Sequence, residues 1–288
     1  MIKKTFLGIL ALSFFAVSCS SDDDNNSETT SDLTLNLQGL EALGSDYVYE
    51  GWIIVNGQPV STGTFTSVVF PQTFSVDRVQ LESATTFVLS IEPAIDPDPS
   101  PADTKILVGD FNGTIATVST AIVGDFSNAS GAFFLRTPTD EMGTNNGNDQ
   151  YGVWFGTPGM PPLPNFQLPT LPVGWVYEGW VVGDSGPLST GTFTAFNSAD
   201  LSAPFSGPAG GPPVPGEDFF ENAPVGETFP LDVRGRIVVI SVEPMPDDSP
   251  APFVLKPLVG TAGNATAPAT HEFGPNLASL PVGSVTRN

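Results

Sequence analysis

The chain has one cysteine and one histidine in 288 residues, and only 9 lysines and arginines against 31 aspartates and glutamates. A lone cysteine, Cys19, has no intrachain partner for a disulfide, and with a single histidine it cannot supply a Cys/His metal cluster. That histidine, His271 in "ATHEFG", leaves no Ser-His or Cys-His machinery with a second His to spare, and it reads as a loop residue rather than a general base. The shortage of positive charge excludes a nucleic-acid surface. After Lys4 the basic residues are Arg78, Lys105, Arg136, Arg234, Arg236, Lys256 and Arg287, too scattered to form a basic stripe. Charged residues of both signs make up only 14%, so the net charge of −22 does not come with the charge density that prevents collapse. With 40% apolar residues there is material for two cores, and 30 glycines and 29 prolines point to many turns and few long helices.

The N-terminus carries a basic start, "MIKK", then an apolar run, "TFLGILALSFFAV", too short to span a bilayer comfortably, then small residues ahead of Cys19. This resembles the bacterial lipobox, in which the cysteine is lipidated and becomes the first mature residue. The expected processing removes residues 1–18 with Lys3 and Lys4, leaving a charge of 7 minus 31, or −24. Residues 19–32, "CSSDDDNNSETTSD", form an acidic segment with nothing apolar to bury, expected as a flexible tether. The "CSSDDD" arrangement is similar to the surface-export signal of Bacteroidetes lipoproteins, although a plain spacer would have the same composition. A lipid-anchored, outer-membrane and surface-exposed location is the expectation.

The remainder repeats itself. "YEGW" at 49–52 returns at 177–180 and "STGTFT" at 61–66 returns at 189–194, both offset by 128 residues. "LSIEP" at 89–93 returns as "ISVEP" at 240–244 with an offset of 151, which also carries Lys105 onto Lys256 and Arg136 onto Arg287. The change of offset implies an insertion in the second copy, and "SGPAGGPPVPGEDFFENAP" at 206–224 is the candidate loop. Both repeated phrases alternate with period two and are rich in β-branched and aromatic residues, so they read as strands. Gly51 and Gly179 read as a bulge, or as bare backbone covered by an aromatic ring. The fold class expected is all-β: two tandem immunoglobulin-like β-sandwich domains, 33–165 and 166–288, with "QYGVWF" completing the first sheet.

The pattern "YEGW…NGQPVSTGTF…LSIEP…DPSPADTKILVG" is similar to the C-terminal, extracytoplasmic domain of anti-sigma-K factors. The resemblance covers both copies and implies an extracytoplasmic β-module that senses or binds. The sigma-binding helical region and membrane-spanning helix through which those factors act have no counterpart in the pattern, so sigma-factor inhibition is not what it implies here.

Among side chains that could carry chemistry, the recurring pairs Glu50 with Glu92 and Glu178 with Glu243 are the only set suited to glycoside hydrolysis. Recurrence in both copies equally marks framework carboxylates hydrogen-bonded to backbone. The aspartates of 96–103 and 247–250 could offer oxygen ligands to calcium, but the prolines between them fit a stiff turn as well. Of the aromatics Trp52, Trp154, Trp175, Trp180, Tyr47, Tyr49, Tyr151 and Tyr177, the residues Trp154 and Trp175 are the candidates for an exposed sugar-stacking platform. The expected protein is therefore non-catalytic, without cofactor or metal, binding the membrane through Cys19 and an envelope protein or glycan through its β-domains.

Overall fold

The computed structural model describes residues 29–288 apart from Met142 and Asp248; the signal, Cys19 and the acidic segment as far as residue 28 lie outside the described residues. The regular secondary structure is almost entirely antiparallel strand. In order these are β1 (Thr30–Gln38), β2 (Tyr47–Val55), β3 (Gln58–Phe65), β4 (Gln72–Asp77), β5 (Thr86–Pro93), β6 (Lys105–Asn112), β7 (Ile115–Ser119), β8 (Ala132–Phe134) and β9 (Gly152–Phe155). They continue as β10 (Trp175–Val182), β11 (Pro187–Phe193), β12 (Gly216–Asp218), β13 (Ile237–Pro244), β14 (Leu258–Thr261), β15 (His271–Glu272), β16 (Gly274–Pro275) and β17 (Val282–Arg287). Among the described residues the one α-helix, α1 (Arg78–Ser83), is short and is capped by Asp77, whose carboxylate accepts from the Gln80 N–H. Among the described residues no helix is long and apolar enough to cross a membrane.

The repeated phrases form the strands their alternation predicts. The β2–β3 and β10–β11 ladders slip by one residue beside Gly51 and Gly179, so both glycines sit opposite a β-bulge whose extra residue, Thr62 or Thr190, is on the partner strand. Rings cover the bare backbone there: Phe87 packs over Gly51, and Phe155 over Gly179.

The first sheet has eight strands in the order β3-β2-β5-β6-β7-β17-β1-β4. It curls until its edges meet through side chains, with the rings of Phe65 on β3 and Phe74 on β4 5.8 Å apart. The second half of the chain uses a sheet in the order β11-β10-β13-β14-β16 and another in the order β12-β9-β8-β15. Residues 271–275 join the two, because β15 pairs with β8 and β16 pairs with β14. Taken through that junction, the order is again that of the first sheet, with β8 in the place of β17, β9 in the place of β1 and β12 in the place of β4.

These pairings do not follow the division expected at 165/166. β17, the last strand of the chain, lies between β7 and β1 of the first sheet, while β8 and β9 pair with β15 and β12 of the second half. The "QYGVWF" segment therefore completes the second arrangement and not the first. The physical reason is that a strand is placed by its ladder partners and by the face it buries, neither of which is local in sequence. The second arrangement is contiguous, from β8 to β16, and is set into the first just ahead of that sheet's final strand. Two smaller expectations change with it: residues 30–32, expected as tether, begin β1, and the expected insertion loop at 206–224 carries β12.

Arg287 fixes β17 in place. Its guanidinium donates to the carbonyls of Leu81 and Glu82 in the last turn of α1, of Ala84 just after it and of Gly113 ahead of β7, and it lies 4.5 Å from the centre of the Phe111 ring. Its repeat-equivalent Arg136 follows β8 and makes an ion pair with Glu141 at 2.9 Å. Buried apolar residues from both arrangements, among them Leu35, Phe87, Val285, Trp175 and Phe253, belong to one continuous core.

Candidate functional site

The recurring carboxylates sit on central strands. Glu50 on β2 faces Ser90 on β5, and Glu178 on β10 faces Ser241 on β13. In both halves the same chain of hydrogen bonds runs from an indole through a serine to the glutamate before the proline. Trp52 Nε1 donates to Ser90 Oγ at 2.8 Å and Ser90 donates to Glu92; Trp180 Nε1 donates to Ser241 Oγ at 2.7 Å and Ser241 donates to Glu243. Each glutamate then accepts a backbone N–H from the far side of the proline-rich loop, Ala102 at 2.9 Å for Glu92 and Phe253 at 3.0 Å for Glu243. "Ser-x-Glu-Pro" thus closes a loop across about ten residues, the framework role that recurrence suggested.

The two halves differ in how far the carboxylates are brought together. Glu178 is 5% exposed and Glu243 is fully buried, and carboxylate oxygens of Glu178, Glu243 and Asp247 lie within 4.8 Å of one another. Ser189 donates to Oε1 of Glu178, while its Oε2 has no partner. Burial pushes Glu178 up to about 8, with Glu243 and Asp247 adding to the shift, and pushes Glu243 up to about 7. In the first half Glu92 is buried and raised by desolvation, but Glu50 is half-exposed and Asp96 exposed.

Glu243 and Asp247 also line a crevice of about 360 Å³ where the two halves meet, walled by Leu43, Tyr47 and Ile91 on one side and Met245 and Phe253 on the other. Its chemistry is apolar with an acidic end.

The aromatic candidates fare differently from the expectation. Trp154 and Trp175 are each 3% exposed, so neither offers a stacking platform. Trp154 donates to Asp218 at 2.9 Å, and Trp175 packs on Phe253 with ring centres 6.0 Å apart. Trp52, Trp180, Tyr49 and Tyr177 are core, and the two tyrosines donate from equivalent positions to the carbonyls of Glu41 and Pro169. His271 spends both ring nitrogens on backbone, Nδ1 accepting from the Gly263 N–H and Nε2 lying 2.9 Å from the Ala265 carbonyl, so neither is turned toward a substrate.

A second acidic group arises from the segment expected to be a loop. On β12, Glu217 is fully buried, takes a hydrogen bond from Ser206 on Oε1 and leaves Oε2 without a partner. Burial pushes it up to about 8, and the nearby Asp200 and Asp218 add to the shift. A carboxyl whose pKa is raised on folding binds its proton more tightly in the folded state. Its contribution is therefore complete below the unfolded value near 4 and is lost as pH rises through about 8. In EDTA the thermal midpoint is expected to fall between pH 5 and pH 8.5, and Glu217→Gln should remove about 1–3 kcal/mol of that dependence. A variant whose pH profile parallels the wild type would show that Glu217 keeps its ordinary pKa. No pattern in the sequence pointed to Glu217, because nothing repeats around it.

Residues 25–105 match the family described as anti-sigma-K factor rskA, C-terminal. The match runs through β1 to β5 and stops at the start of β6. No curated protein and no solved structure matches the chain.

Proposed function

We propose that the chain is a non-catalytic cell-envelope lipoprotein, held to the outer membrane through Cys19, whose two anti-sigma-K-like β-modules bind an envelope ligand in the crevice between them. The match of residues 25–105 to an anti-sigma-K factor domain carries the reading. Support for a second module comes from the 128- and 151-residue offsets together with the recurrence of the bulge, the Trp-Ser-Glu chain and the strand order. Support for the anchor is the basic, apolar and small-residue sequence leading to Cys19. The carboxylates serve the framework in this reading. Glu92 and Glu243 hold loops closed, and a binding role falls to the crevice wall.

Cys19→Ser is expected to move the protein from the membrane fraction to the soluble one, since the acyl chains hold it there in this reading and no helix among the described residues is long and apolar enough to span. Detergent-dependent association of the Ser variant would overturn the anchoring. For the crevice, Tyr47→Ala and Met245→Ala in the chain from Ser20 onward should each reduce recovery of whatever envelope component that chain retains. Undiminished recovery with both would place binding elsewhere.

A further inference from the structure

We infer that Glu178, Glu243 and Asp247 form a binding site for one divalent cation, calcium by its chemistry, at the acidic end of the crevice.

Three observations converge on it. The carboxylate oxygens lie within 4.8 Å of one another, the spread of oxygens around a calcium ion at about 2.4 Å. Glu178 is 95% buried, its Oε2 takes no hydrogen bond from any donor, and its carboxyl lies directly against that of Asp247. No lysine or arginine forms an ion pair with any of the three among the described residues, and the one positive charge that acts on them, Lys256 on Glu243, does so from beyond contact. Buried carboxylates without a countercharge are costly, and a cation or a shared proton must offset them. The geometry favours the cation. Ser189 and Ser241 donate to Glu178 and Glu243, and the Phe253 N–H donates to Glu243, so the two glutamates are held as acceptors before any ion arrives. The all-oxygen donor set excludes a preference for zinc or copper, and a loop ligand such as Asp247 suits the irregular shell of calcium better than the strict octahedron of magnesium. Glu243 and Asp247 reach the crevice wall, which gives the ion an entry path and room for water to complete its shell. The offsets of 128 and 151 place Glu50, Glu92 and Asp96 at the corresponding positions, but half-exposed Glu50 and exposed Asp96 are not gathered there. One ion per chain follows.

The test uses the full mature chain without its lipid, from Ser20 to Asn288, cleared of metal with EDTA. Terbium, a luminescent stand-in for calcium, should give emission sensitised by Trp180, whose indole is two hydrogen bonds from Glu243. Calcium should displace terbium with one site per chain and an affinity on the order of 10⁻⁴ to 10⁻³ M, and magnesium should need at least about tenfold more. Glu178→Gln and Asp247→Asn should each weaken calcium at least tenfold, and Glu50→Gln should leave it unchanged. Calcium should also raise the thermal midpoint of the wild type, a readout that needs no variant to fold. Absence of sensitised emission and of any midpoint change at about 10 mM calcium, well above that affinity range, would overturn the site and leave the three carboxylates sharing a proton. Equal binding by Glu178→Gln would overturn it as well.

Discussion

A chain ended at Leu280 is expected to lose the cooperative folding of its first half. The truncation removes β17, which supplies six paired positions to β1 and five to β7, and with it fully buried Val285 and the Arg287 guanidinium that binds four separate carbonyl groups around α1 and β7. The remaining strands would face each other across an open gap with two new edges. By contrast, residues 131–280 contain every strand of the second arrangement, from β8 to β16. Expressed alone, that fragment should melt cooperatively, whereas 166–288, which lacks β8 and β9, should not. Joining residue 130 directly to 281 should restore the first sheet without the second arrangement. Calorimetry and amide dispersion decide among these chains; a cooperative melt from 166–288 would mean that the exchanged strands contribute little.

The second large effect is at Gly179. A Cβ there would overlap the Phe155 ring edge and Thr190 Oγ1, and Phe155 is fully buried among Phe166, Phe193 and Phe273 with no space to retreat. Gly179→Val should cost about 3 kcal/mol or more through overpacking. At Gly51 the nearest obstacle is Thr62 Oγ1 at 2.5 Å, with the Phe87 ring farther off at 3.2 Å, so Gly51→Val should cost about 1–3 kcal/mol. Urea melts of the two variants measure the difference. Equal losses would show that the ring from β9 is not what excludes a side chain. The two losses are expected to add in the double variant, because Gly51 and Gly179 share no packing neighbour.

These two sites show what could be read in advance. The period-two alternation of "VYEGWIIV" specifies a strand and the glycine within it marks a bulged pairing, and both form, with the extra residue, Thr62, on the partner strand β3. The equivalence of Arg136 and Arg287 was visible as well, but their partners were not. Whether the strand before Arg287 pairs with its own copy or the other one depends on which open edge it meets after the chain has folded back, and no local pattern encodes that. The carboxylates divide along the same line. Glu178 and Glu243 stood out by recurrence, whereas the approach of Asp247 depends on a loop held by the bond from the Met245 N–H to the Gly174 carbonyl at 2.8 Å. Trp154 misled because tryptophan at an unrepeated position suggests a surface, while here it reaches across to Asp218 on a strand 64 residues away.

The position of β1 bears on how the molecule would respond to pulling. Tension transmitted through the acidic segment enters at Thr30 and runs along β1, which is flanked by six paired positions on β17 and six on β4. Antiparallel hydrogen bonds stand perpendicular to the strand, so a pull along β1 strains both ladders in shear, and they must yield together rather than unzip one by one. The first described strand after the acidic segment is thereby held in shear on both of its sides, so a pull entering there loads two ladders at once.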